Sequence, residues 1–360
     1  MLNLIVLVVL VPFFMYFSKC LNPIEKQLEM NSDFHLHELR MDAYLWAVIV
    51  LLTCFSFLRT SYNDTENYIW IFLTSPSLKE GYELGTYFDW TGNPLFSLYQ
   101  DVIHSFTNNF HIYFFFPALA ISYAVVILIK RYSVNPAFSM LVFFAIGTYV
   151  MYIAAMKQSI AMFILILSLP YAEKKQYVRF CLLVALAILF HTHSFMFFLI
   201  IFMFDKPWRK TTWLLLGLTI FGMLTYDFTF GGFMEFAISI GANVAEIEVF
   251  DGHQINFLRV AVYWVPVLIA LFFKKQLFEN TSRMENLFVN MSIVSAFILT
   301  LGLVQGANLF ARMAAYFEIG VAIAVPWMIH RIFEKHTAKI VTVIAMVAYS
   351  GYFLDRKSVV

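Results

Sequence analysis

Four short constellations of polar and charged residues interrupt an otherwise apolar sequence, and their residue types suit an anionic ligand. The first is Arg59-Thr60-Ser61-Tyr62-Asn63-Asp64-Thr65-Glu66-Asn67-Tyr68. A guanidinium presents planar paired donors to phosphate oxygens, and a carboxylate such as Asp64 can accept a proton. The plainer reading is a helix exit and an N-cap, with Asp64 or Thr65 capping a stretch that begins near Glu66. The second, Lys157-Gln158-Ser159-Ile160-Ala161, puts a cation and an amide at a helix start, where acidic residues are usual. In the third, Phe190-His191-Thr192-His193-Ser194, an imidazole can take a proton from an attacking hydroxyl or serve as a hydrogen-bonded turn residue. His191 and His193 alone do not complete a metal site, so no metal is expected. The fourth runs from Asn308 to Glu318. On one continuous helix Asn308, Arg312 and Tyr316 share a face, with Glu318 deeper in the same helix. A carboxylate there is costly unless it is paired or protonated, and one of the arginines could be neutralised by it.

The elements that hold these groups are expected to be membrane-spanning helices. Of 360 residues, 61% are hydrophobic and 13% charged, and Phe alone occurs 41 times. Apolar runs long enough to cross a bilayer, roughly 20 residues each, recur along the chain. We read them near 2–18, 43–58, 110–129, 137–155, 157–171, 176–190, 194–204, 211–226, 256–273, 286–304, 309–330 and 338–354. The expectation is one all-α polytopic membrane domain over residues 1–360, with roughly twelve spans and a range of about ten to fourteen. The run 194–204 is short, which allows a re-entrant pair or a merged helix. Continuous rather than alternating apolarity excludes a β-barrel. The first run lacks a basic leader and a lipoprotein-type site before Cys20, so an uncleaved first helix is expected. Cys20, Cys54 and Cys181 are expected to be structural and unpaired.

Charge distribution suggests an orientation. Lys19, Lys26, Arg40, Lys130, Arg131, Lys174, Lys175, Arg179, Lys206, Arg209, Lys210, Lys274, Lys275, Arg283, Arg331, Lys335 and Lys339 fall in alternate joints. The positive-inside rule makes that side the cytoplasm and puts both chain ends outside. External segments at 59–109 and 227–255 follow, with short amphipathic, aromatic-rich stretches at Tyr82 to Trp90 and Pro94 to Phe106 that suit sugar rings or a membrane interface. The second segment carries Asp227, Glu235, Glu246, Glu248 and Asp251 without a Lys or Arg. Arg59, Lys157, Arg259 and Arg312 map to outer helix ends, on the side the rule depletes. Each could snorkel to lipid headgroups, but four together suggest an anion site near an aqueous cavity. Arg356 and Lys357 belong to the tail and Lys79 to a loop. The net charge of +1 comes with no basic block, so no nucleic-acid partner is expected.

Taken in order, the constellations resemble the EpsG family, which belongs with Wzy-like exopolysaccharide and O-antigen polymerases. The likeness rests on Arg59 with Asp64, Thr65 and Tyr68; on Lys157, Gln158 and Ala161; on Phe190 and His191; and on Arg312, Tyr316 and Phe317. It covers about residues 40–330. At Lys157 the family pattern has Arg, so the charge is kept and the bidentate fork is lost. His193 aligns with nothing in that pattern. The resemblance implies a metal-independent, cofactor-free glycosyltransferase of the bacterial cytoplasmic membrane, acting at its outer face in exopolysaccharide, capsule or O-antigen synthesis. Donor and acceptor would be undecaprenyl-pyrophosphate-linked oligosaccharides, with a flippase and a chain-length regulator of the same pathway as partners. Arg312, Arg259, Lys157 and Arg59 would hold pyrophosphate, and His191 or Asp64 would be the base. Gln158, Tyr68, Tyr316, Glu318 and His193 would support them. A lipid-linked oligosaccharide flippase is the main rival, although its polar sites are expected near the midplane on broken helices in repeated halves. A membrane acyltransferase with a surface His is a third reading.

Overall fold

The computed structural model describes residues 2–21, 41–75, 93–226, 228 and 253–358, in which every regular element is helical. Lys26, Arg40, Lys79, the Tyr82 to Trp90 stretch and the acidic residues of the 227–255 segment lie outside the described residues. The chain divides into two compact units, one of Met1–Phe198 with Thr342–Val360, the other Leu199–Val341.

In the first unit the order is α1 (Leu2–Leu21), α2 (Ala43–Phe57), α3 (Thr65–Thr74), α4 (Pro94–Phe106), α5 (Phe110–Tyr132), α6 (Pro136–Ala145), α7 (Thr148–Ala154), α8 (Met156–Glu173) and α9 (Tyr177–Phe190). A 3-10 helix, Thr192–Phe202, follows. Helix α1 packs on α2 and α6, α2 on α5, α5 on α8, and α8 on α9. Start signals are local: Asp42 accepts from the Leu45 N–H at 2.9 Å and from the Ser18 hydroxyl at 2.6 Å, which ties the start of α2 to the end of α1. The three cysteines are free thiols.

The second unit contains α10 (Lys210–Leu224), α11 (Phe257–Phe272), α12 (Lys274–Leu277), α13 (Arg283–Leu301), α14 (Ala307–Ala314) and α15 (Glu318–Ile332); α16 (Lys335–Ser358) returns the chain to the first unit. Helix α13 is its centre, packed by α10, α11, α14 and α15 and buried continuously from Asn286 to Leu299. Its buried Asn290 donates to the Met203 and Asp205 carbonyls at 2.7 Å, partners that lipid could not supply. Its start carries a reciprocal capping box between Ser282 and Glu285, and Glu285 also accepts from the Trp327 indole at 2.7 Å. Beside it, a Cβ on Gly320 would lie 2.5 Å from the Met291 Cβ, so the close crossing of α13 and α15 needs glycine there.

Three described helices, Phe110–Tyr132, Arg283–Leu301 and Lys335–Arg356, are long and apolar enough to cross a membrane, or up to five spans if each bent pair counts as one. Six more apolar helices have 10 to 17 residues, below the length of an untilted span, so the figure of about twelve rests on sequence alone.

Three expected spans take a different form. The run 137–155 is broken between α6 and α7 with a 59° bend, because Gly147 adopts a left-handed φ of 84° that ends one helix and starts the next. The run 309–330 is broken between α14 and α15 by 57°. Tyr316 therefore lies in the break rather than on the helical face of Asn308 and Arg312, and Glu318 opens α15 instead of lying deeper in α14. The run 194–204 is 3-10 helix, in which three residues per turn bury every third side chain: His191, Ser194, Phe197, Ile200 and Met203.

Candidate functional site

In the first unit three of the four constellations meet, and α4 joins them. The segment after α2 turns through Tyr62 and Asn63, both at positive φ, before Thr65 opens α3. Arg59 sets that turn. Its Nη1 donates to the Ser56 carbonyl at 2.6 Å, and its Nε donates to the Thr65 hydroxyl at 3.0 Å. Thr65 in turn donates to the Tyr62 carbonyl at 2.5 Å. The guanidinium carbon lies 4.2 Å from the Phe114 ring centroid. Burial lowers the Arg59 pKa to about 10, with Tyr68, Tyr149 and Tyr113 around it acting in the opposite direction. Arg59 remains a cation at neutral pH. Asp64 occupies the N-cap of α3 without a side-chain capping bond, so the capping reading holds for position only.

Tyr68 is buried in an aromatic cluster with Phe72, Phe96, Tyr113, Phe114 and Met156, and Phe190 and Ile160 pack against it. Phe96 of α4 is its pivot. Its ring centroid lies 6.0 Å from that of Tyr68, and the Lys157 ammonium sits 5.3 Å from the Phe96 centroid. Lys157 is the second residue of α8, the helix start expected for it, and the neighbouring Gln158 is fully buried. At the head of α4, Asn93 accepts from the Thr192 N–H at 3.0 Å and from the Thr192 hydroxyl at 3.3 Å, so the His191-Thr192-His193 break is fastened to the same helix. His191 caps α9 and is 7% exposed, with its ring centroid 5.2 Å from that of His193. Among the described residues no third His, Cys, Asp or Glu joins them in a metal-sized group.

The second unit builds its own cationic end. The strip before α11 is bound to the turn before α14, with the Ile255 N–H donating to the Gly302 carbonyl at 2.7 Å and the Ala307 N–H to the His253 carbonyl at 2.9 Å. Arg259, in the first turn of α11, donates through Nη2 to Glu318 at 3.3 Å, and Glu318 is fully buried. The expectation that Glu318 neutralises an arginine is met, and the arginine is Arg259. Arg312 is half-buried in the last turn of α14, where a cation is favoured, and Tyr316 and Phe317 are fully buried in the break that follows.

The family model described as EpsG family matches residues 42–356. The chain belongs to the EpsG family. EpsG is a Wzy-like polymerase family, so the chain is an integral membrane protein with an exopolysaccharide polymerase-like function. No curated protein and no solved structure matches it.

Two features of this EpsG protein escaped sequence reasoning. Asp101, on the inward side of α4, is 4% exposed, and burial raises its pKa to about 6 against an opposing effect of His104. A carboxylate poised there could trade a proton with a sugar hydroxyl. Its available signal was the Gln100-Asp101-His104 spacing on an amphipathic helix, which reads equally well as a wet face. The other is Arg356, assigned from sequence to the tail. Its guanidinium donates to the Ile146 carbonyl at the break between α6 and α7, against Gly147, where a Cβ would fall 1.8 Å from the Arg356 Nη1.

Proposed function

We propose that this EpsG protein polymerises lipid-linked oligosaccharide repeat units at the outer face of a bacterial cytoplasmic membrane. The observation that carries the reading is the family match over residues 42–356. A hydroxyl oxygen of one undecaprenyl-pyrophosphate-linked unit attacks the anomeric carbon of another. The bond from that carbon to the pyrophosphate oxygen breaks, and the lipid pyrophosphate leaves with the electron pair. His191 or Asp64 takes the hydroxyl proton. Each unit offers cations to phosphate oxygens: Arg59 and Lys157 in one, Arg312 in the other. Stabilising the charge on the departing group is the largest catalytic contribution in such a reaction. Arg259, held by Glu318, positions more than it binds, and the Tyr68 and Phe96 rings suit sugar faces. The reaction needs no metal or nucleotide sugar. A flippase and a chain-length regulator of the same pathway are proposed as partners.

The breaks at Gly147 and at residues 315–317 favour a second reading, a lipid-linked oligosaccharide transporter, because discontinuous helices are common in transport proteins. One experiment separates the two: purified lipid-linked units are supplied to proteoliposomes carrying the protein. A ladder of longer glycans supports polymerisation. Translocated units without a ladder would replace it with flipping.

A further inference from the structure

A recess unrelated to the four constellations lies in the second unit between the end of the 3-10 helix, α10 and α13. Its volume of about 120 Å³ is close to that of apolar cavities that take a benzene-sized group, roughly 150 Å³. The walls are apolar, with Leu199, Leu215, Ile293 and Val294 among them, and the mouth carries Lys206 and Arg209 with one opposing carboxylate, Asp205. Lys206 is held at the mouth by donating to the Glu279 carbonyl at 3.1 Å. The Arg209 side chain makes no hydrogen bond or ion pair among the described residues. It is also the N-cap of α10, with no side-chain cap and no acidic residue in the first turn, so the positive end of that helix faces the same mouth. From there α10 runs with Trp213, Leu214, Leu218, Phe221 and Leu224 exposed, an apolar outer face suited to lipid.

We propose that this recess is a binding site for an anionic phospholipid. The phosphate sits between Arg209, Lys206 and the start of α10, and the first part of one acyl chain enters between α10 and α13. Charge complementarity selects the headgroup, and continuity with the exposed face of α10 selects a lipid over a soluble anion. Basic pockets of this kind between spanning helices, on the side where Lys and Arg accumulate, are where acidic headgroups lodge. The site is independent of the glycan reading, because none of its residues belongs to the proposed catalytic groups.

The test is native mass spectrometry and thermal unfolding of the full chain in detergent, with added phosphatidylglycerol, phosphatidylcholine or inorganic phosphate. Phosphatidylglycerol should be retained at least tenfold over phosphatidylcholine and should raise the melting temperature. The double variant Lys206→Gln/Arg209→Gln should lose that preference, whereas Lys274→Gln/Lys275→Gln, with equal charge removed elsewhere, should keep it. Val294→Phe, which fills the recess, should weaken retention with both cations intact; it decides the matter if the double variant loses its helical circular dichroism. Equal retention of the two lipids, full retention by the filled variant, or an equal melting shift from inorganic phosphate alone would overturn the proposal.

Discussion

Arg59 spans two acceptors with different nitrogens, the Ser56 carbonyl and the Thr65 hydroxyl. A lysine has one ammonium and cannot hold both ends of the turn, although it keeps the charge. Arg59→Lys is therefore expected to slow glycan chain growth about tenfold, and Arg59→Ala about a hundredfold, the scale of removing a preorganised charge-stabilising donor. Radiolabelled glycan ladders at matched protein levels measure both, and equal rates for the two variants would remove the turn-setting role. Asp101 gives a pH-dependent expectation. The folded protein keeps that proton up to about pH 6, whereas an unfolded chain releases it near the ordinary 3.8. The stability it contributes is complete below the unfolded value and is lost as pH rises through about 6. Melting temperature should fall across that window in wild type and change less in Asp101→Asn. The contrast between these residues shows what is legible. Arg59, Thr65 and Tyr68 stand out because polar residues between two apolar runs have few structural excuses. Asp101 does not, because a carboxylate on an amphipathic helix reads as solvent-facing until the packing of α4 is known.

At the scale of elements, the two helix breaks differ in how readable they are. Gly147 is a lone glycine in an apolar run, a signal for a left-handed residue that helical continuity obscured. The break at Ala315, Tyr316 and Phe317 contains neither Gly nor Pro, so nothing local announces it. The 3-10 helix after His191 is equally silent, since its period-three burial depends on which neighbours surround it. Gly147 carries a prediction for its break. A side chain there meets the left-handed penalty of about 1 kcal/mol and the Arg356 guanidinium together. Gly147→Ala should lower the melting temperature and release Arg356, and Arg356→Ala should restore part of the loss by making room. Purely additive losses in the double variant would argue that the two do not touch. At the other crossing, Gly320→Val should cost about 1–3 kcal/mol by forcing α13 and α15 apart, measured as reduced resistance to denaturant.

For the whole molecule, composition made the membrane class and the helical architecture plain, and the order of the four constellations made the family plain, while the number of spans stayed beyond reach of both sequence and helix length. Orientation is the remaining property on which the proposed chemistry depends. Under the proposed orientation, basic joints such as Lys274-Lys275 lie in the cytoplasm because Lys and Arg resist translocation, and Arg59, near the exposed Ser61, lies on the opposite side. With Cys20, Cys54 and Cys181 replaced by Ser, a single cysteine at Ser61 should react with a membrane-impermeant maleimide in intact cells. One at Lys274, also exposed, should react only after permeabilisation. The two positions are chosen because neither is buried, so a failure to label reports the membrane rather than the fold. The reverse pattern would put Arg59 in the cytoplasm, where lipid-linked units are assembled from soluble precursors. It would then argue against polymerisation of translocated units even if a ladder formed in proteoliposomes of mixed orientation.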